Sequence, residues 1–418
     1  MVAVTAPPAW SLKGFPAGYD PESSEKSWNI LDGQALFPLV TLRESALRTN
    51  TISMMQYCAR NGVSLAPHGK TTMSPQLFAR QMATTCWGIS AATAWQVRAM
   101  RGMGESSILL ANVLVDPAGI RYVASELDRD PEFTFLCYVD SLAGVEILER
   151  VLTAIRATRP WEVLVELGQV GGRTGARSIS DAVEVARAVT ETKALRLAGV
   201  AGFEGLIHSV PKTMIQAVDD FLLSMRDLVV TIDREALFGP RVIVTAGGSA
   251  YFDRVVQHLT GFSLSSPVQT ILRSGGYITH DAEMYELVSP LARRRAPGET
   301  LRLSAALELW ATVWSRPERS LAIVGFGKRD ASFDYGLPIP LKCYRGGNEV
   351  EPNLIGMASV TELNDQHAYL QLDEELELLP GDVLLFGMSH PCTVFDKWRT
   401  VPVVDDTHNV IDLVHTFF

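Results

Sequence analysis

A chain of 418 residues with 47% hydrophobic and 20% charged side chains is globular and long enough for two or three domain-sized units, which excludes wholesale disorder. A net charge of −10 offers no global attraction for phosphate backbones and argues against nucleic-acid binding. No segment reaches the roughly 18 apolar residues that span a bilayer, and the amino terminus is not read as a secretory signal. Five scattered cysteines (Cys58, Cys86, Cys137, Cys343, Cys392) point to reduced thiols in a cytoplasm.

Residues 1–40 carry Pro7, Pro8, Pro16, Pro21 and Pro38 with little periodicity, so an irregular arm is expected there, packed on a later β domain. From 41 to 290, short apolar runs alternate with amphipathic stretches. Strands are expected over 63–66, 87–90, 107–112, 133–139, 162–167, 197–203, 241–245 and 269–272, and helices over segments such as 41–61, 74–84, 142–157, 180–192 and 215–232. The runs are continuously apolar, as a buried parallel sheet requires. Eight strand–helix units over ~250 residues fit a (β/α)8 barrel; a doubly wound sheet is the competing architecture. After 290 the helical pattern stops. Short β-rich pieces (300–309, 320–324, 355–361, 367–372, 383–386), punctuated by Gly346-Gly347 and Pro380-Gly381, predict a small all-β domain over 291–418.

In a parallel barrel, functional groups gather where strands end. The first strand runs into Pro67-His68-Gly69-Lys70-Thr71. Lys70 is either an ordinary solvated lysine or an amine at the barrel mouth that forms a Schiff base with a carbonyl. The fifth strand leads to Gly171-Gly172-Arg173-Thr174-Gly175, where Arg173 is either a surface arginine on a turn or a fixed cation for a ligand. The last two strands end in Gly247-Gly248-Ser249 and in Arg273-Ser274-Gly275-Gly276-Tyr277. Two Gly-Gly turns there fit a phosphate held by backbone N–H groups. In the β domain, His390 and Cys392 flank a proline: a buried thiol beside a surface histidine, or two ligands of an open zinc-type site. His208, His258, His280, His367, His408 and His415 stand alone and read as structural, although His280 lies close enough to Gly275-Gly276 to reach the barrel mouth.

The run of Pro67-His68-Gly69-Lys70-Thr71, Gly172-Arg173-Thr174-Gly175, Arg273-Ser274-Gly275-Gly276-Tyr277 and His390-Pro391-Cys392, in that order, resembles the D-serine dehydratase and D-threonine aldolase family, pyridoxal-phosphate enzymes of the alanine racemase fold type. The resemblance extends from about 40 to 418 and is closest to the bacterial cryptic D-serine deaminase-like branch. It implies an α/β chain: a (β/α)8 TIM-type barrel followed by a small all-β domain, working as a cytoplasmic homodimer with the active site near the subunit junction. Lys70 would carry pyridoxal 5'-phosphate covalently. Gly247, Gly248, Ser249, Gly275 and Gly276 would hold its phosphate, and His68, Arg173, Phe203 and Tyr277 would complete its surroundings. His390 and Cys392 would bind zinc or another divalent metal.

Within the family, His-x-Cys goes with dehydratases and His-x-Asp with aldolases. The expected reaction is therefore dehydration of a D-serine-like β-hydroxy-D-amino acid to a 2-keto acid and ammonia. Retro-aldol cleavage to glycine and an aldehyde is the alternative, and a non-catalytic cofactor-binding protein is the third reading. The chain departs from the family where relatives carry a tyrosine–histidine pair, with Phe203 and Glu204 in its place, and where aldolases carry His-Lys, with Thr72-Met73. Both departures bear on the substrate.

Overall fold

The computed structural model describes residues 8–20, 28–83, 86–207 and 211–418, so His208 lies outside the described residues. Two compact units emerge: one built from 55–70 and 81–275, the other from 71–80, 276–418 and the described part of 3–54. Among the described residues no helix is long and apolar enough to cross a membrane.

The helix expected over 41–61 begins later, at Glu44–Asn61, because Leu39–Arg43 (β1) is a strand of the second unit. Leu39, Val40 and Leu42 are all fully buried there, and an extended backbone is what lets adjacent apolar residues pack on both faces of a sheet.

The first unit holds eight parallel strands: β2 (Ser64–Leu65), β3 (Ile89–Ala91), β4 (Ser107–Val113), β5 (Thr134–Val139), β6 (Trp161–Leu167), β7 (Leu195–Gly202), β8 (Val242–Ala246) and β9 (Val268–Leu272). Their order, β2-β9-β8-β7-β6-β5-β4-β3, is that of a rolled sheet. The seam between β2 and β3 is bridged at Leu65–Cys86 and His68–Ser90, which nearly closes the barrel and settles the architecture against a doubly wound sheet. Helices Ala94–Gly102, Pro117–Arg129, Leu142–Ala154, Ile179–Glu191, Pro211–Arg234 and Phe252–Leu259 follow successive strands from β3 to β8. Thr93, Asp116, Ser141 and Ser178 each cap a helix by accepting a backbone N–H in its first turn, so the strand-to-helix loops end where the sequence supplies a cap. Leu109, Leu136, Tyr138, Leu164, Ala198, Ile243 and Ile271, each almost completely buried, pack together from successive strands as the barrel core.

The second unit is a mixed sheet. To β1 it adds β10 (Leu307–Glu318), β11 (Leu321–Val324), β12 (Ile339–Arg345), β13 (Asn348–Val350), β14 (Ala358–Leu363), β15 (Ala368–Leu372), β16 (Val383–Gly387), β17 (Thr400–Val404) and β18 (Val410–His415). The main path is β13-β12-β16-β10-β1-β17-β18, and β11, β15 and β14 extend from β10. The arm joins this sheet: Ile30 donates to the His408 carbonyl (3.1 Å) and Val410 to that of Trp28 (2.8 Å). Trp310, Phe326, Phe386 and Trp398 are buried in this unit, and Trp310 donates its indole N–H to Thr41 on β1 (2.9 Å).

Candidate active site and metal pair

After β2 the chain is clamped on both sides. Ala66 donates to the Leu272 carbonyl of β9 (2.8 Å), while Ser90 of β3 donates its N–H to Pro67 (2.9 Å) and its hydroxyl to Ala66 (2.7 Å). The 3₁₀ turn Gly69–Thr71 then carries Lys70 to an exposed position just beyond the strand end. Gly275, two residues beyond Arg273 after β9, packs on the same stretch. An added methyl at Gly275 would run into the His68 carbonyl and lie 2.8 Å from its Cβ. Gly275→Ala is accordingly expected to cost about 1–3 kcal/mol by overpacking, read as a lower thermal midpoint of the unliganded protein.

Charge gathers around this turn. Arg273 is buried, and its guanidinium donates to Thr245 Oγ1 (2.7 Å) and the Gly202 carbonyl (2.6 Å), 5.9 Å from the Tyr138 ring. His68 Nδ1, Tyr138 Oη and Glu166 Oε2 are buried without a hydrogen-bond partner among the described residues. Burial, then the cations Lys70, Arg273 and Arg173, hold His68 well below the usual histidine range. Burial likewise raises Tyr138, and it raises Glu166 against the opposing hydrogen bond from Thr174 and the charge of Arg273. Each orphaned buried group costs on the order of 1–3 kcal/mol unless a ligand or water satisfies it. Three such groups beside Lys70, Arg273 and Arg173 suit a polar, anionic ring ligand with both donors and acceptors, so these residues fit pyridoxal phosphate. Sequence reading passed over Tyr138, Glu166 and Arg273; all three lie at or just past strand ends, where apolar runs break to a polar residue.

A pH effect follows from His68. The unfolded chain takes up its proton near pH 6.5, and the folded chain only well below that. The neutral form therefore leaves stability intact above 6.5, and stability falls as pH drops below it. His68→Gln is expected to flatten this acid limb, checked by thermal midpoints at several pH values between about 7.5 and 5.

The other candidates fall into place as follows. Arg173 is exposed, its guanidinium 4.8 Å from the centre of the half-buried Phe203 ring. Gly247 has a left-handed backbone (φ 93°), and Ser249 follows it, half-buried. The N–H groups of Gly247 and Gly248 donate to Glu204, at 3.0 and 2.8 Å. Gly276 and Tyr277 lie in the 3₁₀ turn Gly276–Ile278 and are buried. His280 is buried in the second unit with φ 49° and Nε2 3.3 Å from Glu286. The other described histidines are held by neighbours: His258 by Asp219 (2.9 Å), His367 against Trp314, His408 against Trp310, and His415 near Thr400 (3.1 Å).

In the second unit, β16 leads through Met388 and Ser389 to His390 and the 3₁₀ turn Pro391–Thr393. His390 Nδ1 lies 2.6 Å from Asp334, which also accepts from Thr393 (2.9 Å), and Cys392 Sγ lies 3.4 Å from Thr71 Oγ1. Burial opposes protonation of His390, but hydrogen bonds to Cys392 and then Asp334 outweigh it and lift the imidazole to about 9. Among the described residues no group of three or more His, Cys, Asp or Glu is arranged to hold a metal. A borderline-soft donor pair with a carboxylate on one imidazole nitrogen is nevertheless the arrangement that orients a histidine for a metal at the other, so the pair fits an open divalent site.

Comparison with known proteins agrees with this organisation. The family profile D-ser_dehydrat, a serine dehydratase domain, matches residues 306–404. A 3-hydroxy-D-aspartate aldolase of Paracoccus denitrificans (strain Pd 1222) is 23% identical over 386 residues, 88% of this chain and 90% of that protein. The D-threonine aldolase of Filomicrobium marinum superposes with a TM-score of 0.73 at 22% identity, covering 92% of this chain and 95% of its own. The D-threo-3-hydroxyaspartate dehydratase of Delftia sp. HT23 superposes with a TM-score of 0.69 at 19% identity, covering 91% and 97%. A cysteine-to-alanine variant of a D-threo-3-hydroxyaspartate dehydratase, also superposable, is known in a metal-free form. The barrel and its β domain have the alanine racemase fold, and over most of its length the chain is similar to D-threonine aldolase, 3-hydroxy-D-aspartate aldolase and D-threo-3-hydroxyaspartate dehydratase.

Proposed function

We propose that this protein is a pyridoxal-phosphate-dependent lyase of β-hydroxy-D-amino acids, with dehydration to a 2-keto acid and ammonia as its reaction. The observation that carries the reading is the exposed Lys70 on a clamped turn beside three unpartnered buried polar atoms and the buried cation Arg273. The lyase names of the relatives support it.

The residues divide the work as follows. Lys70 Nζ would hold the cofactor aldehyde and would serve as the base for the α-proton. Bound at this mouth, the cofactor ring supplies the accompanying charge withdrawal. His68 stays neutral at physiological pH, so it adds no further positive charge beside Lys70. Arg273 is locked by Thr245 and Gly202 and presents a fixed cation without needing reorganisation. His390 and Cys392 would hold a divalent cation whose Lewis acidity assists loss or ionisation of the β-hydroxyl. The same reading makes the protein a cytoplasmic homodimer.

The His-x-Cys pair supports dehydration. The aldolase names of two relatives support a second reading, cleavage to glycine and an aldehyde by the same parts. Incubation of the purified protein, with cofactor and zinc, with D-serine, D-threonine and D-threo-3-hydroxyaspartate separates them. Keto acid with equimolar ammonia is expected; glycine without ammonia would instead establish the aldolase. Cofactor bound but no turnover of any of the three would leave a cofactor-binding protein.

A further inference from the structure

We infer that Glu204 is a positioning residue for the phosphate cradle: its carboxylate commits the Gly247 and Gly248 N–H groups and so fixes the loop after β8 against which the cofactor phosphate binds. The inference rests on the pyridoxal-phosphate reading above. Glu204 is completely buried on the stretch after β7. Its two oxygens accept one N–H each, Oε2 from Gly247 at 3.0 Å and Oε1 from Gly248 at 2.8 Å. Two adjacent backbone N–H groups converging on one carboxylate form an anion-binding turn, and here the chain supplies the anion itself. A phosphate on the same two donors would lie within hydrogen-bond distance of a buried carboxylate, where like charges repel strongly. The N–H groups that sequence reading assigned to the phosphate are therefore spoken for.

The same turn is held from its other side. Ser274 donates its hydroxyl to the Gly248 carbonyl (2.7 Å), and the Arg273 N–H donates to that of Gly247 (3.0 Å). A side chain at Gly248 has no room, since its Cβ would lie 2.9 Å from the Phe203 ring. Glu204 from the stretch after β7 and Ser274 from the end of β9 thus grip the loop after β8 between them. This is preorganisation: donors fixed before the anion arrives lose less ordering free energy on binding.

Equilibrium titration of the unliganded protein with pyridoxal phosphate and, separately, with pyridoxal tests the role. Glu204→Gln keeps one acceptor but turns an amide NH2 toward the second N–H. It is expected to weaken pyridoxal-phosphate binding ~tenfold while leaving pyridoxal within about twofold, because only the phosphate reads the cradle. Ser274→Ala removes the opposite grip and is expected to shift the same ratio in the same direction, whether or not the Glu204 variant folds. Unchanged or tighter pyridoxal-phosphate binding overturns the inference, and so does an equal loss for both ligands. If the wild type takes up neither ligand covalently, the lyase reading itself fails, an outcome distinct from a wild type that binds and a variant that binds alike.

Discussion

Lys70→Ala is expected to abolish the yellow absorbance of cofactor-loaded protein, its covalent trapping by borohydride, and at least ~10³-fold of turnover, since both the attachment point and the proton-transferring amine are lost. The fold has little stake in this side chain. Lys70 is exposed, and surface substitutions of this kind usually change stability by no more than about 0.5 kcal/mol. The clamp on its turn is made by backbone groups of Ala66 and Pro67 with Leu272 and Ser90, all of which survive the substitution. An unchanged spectrum with intact borohydride labelling would refute the assignment of the amine; a spectrum lost together with the thermal transition would show only that the barrel had collapsed. Removing Lys70 also removes one of the cations that depress His68, so the acid limb of stability is expected to move toward higher stability at pH 5–6.

Cys392→Ala is expected to lower bound zinc and turnover together, by at least ~100-fold in metal affinity, while pyridoxal-phosphate absorbance persists. Among the described residues only two such donors stand together, so loss of the thiol leaves a single imidazole, and one imidazole does not hold zinc against buffer or chelator. His390 would remain oriented, because its Nδ1 is gripped by Asp334 at 2.6 Å, itself steadied by Thr393. That makes the variant a clean removal of one ligand, not a collapse of the pair. Metal analysis after dialysis and a chelator titration of activity check it. Stoichiometric zinc in the variant would show that the metal, if any, sits elsewhere. Zinc lost with turnover unchanged would separate the metal from the chemistry.

Much of the barrel was legible because buried parallel strands are built on continuously apolar runs, of which Val163–Val165 is an example. The β domain was harder to read. The sequence reading named neither β12 nor β17, which carry Pro340 and Pro402, and proline inside an apolar run argues locally against a strand. Neither β1 nor the long reach of β10 to Glu318 stood out, since both owe their extended form to partners remote in sequence: Leu39 pairs with Trp310 and Val40 with Leu309.

The site divides along the same line. The lysine after the first strand, the paired glycines after the last two and the His-x-Cys step are local patterns, each carried by a few adjacent residues whose chemistry is the same wherever they fold. Sequence by itself determined these. Arg273 without a carboxylate partner among the described residues, the three unsatisfied polar atoms beside it, Asp334 on His390 and Glu204 on the Gly247-Gly248 turn are relations between residues 28 to 56 positions apart or between a side chain and its desolvation. Burial and hydrogen-bond closure do not exist until the chain has folded, so only tertiary structure could decide which glycine N–H groups are already taken and which polar atoms still need a ligand.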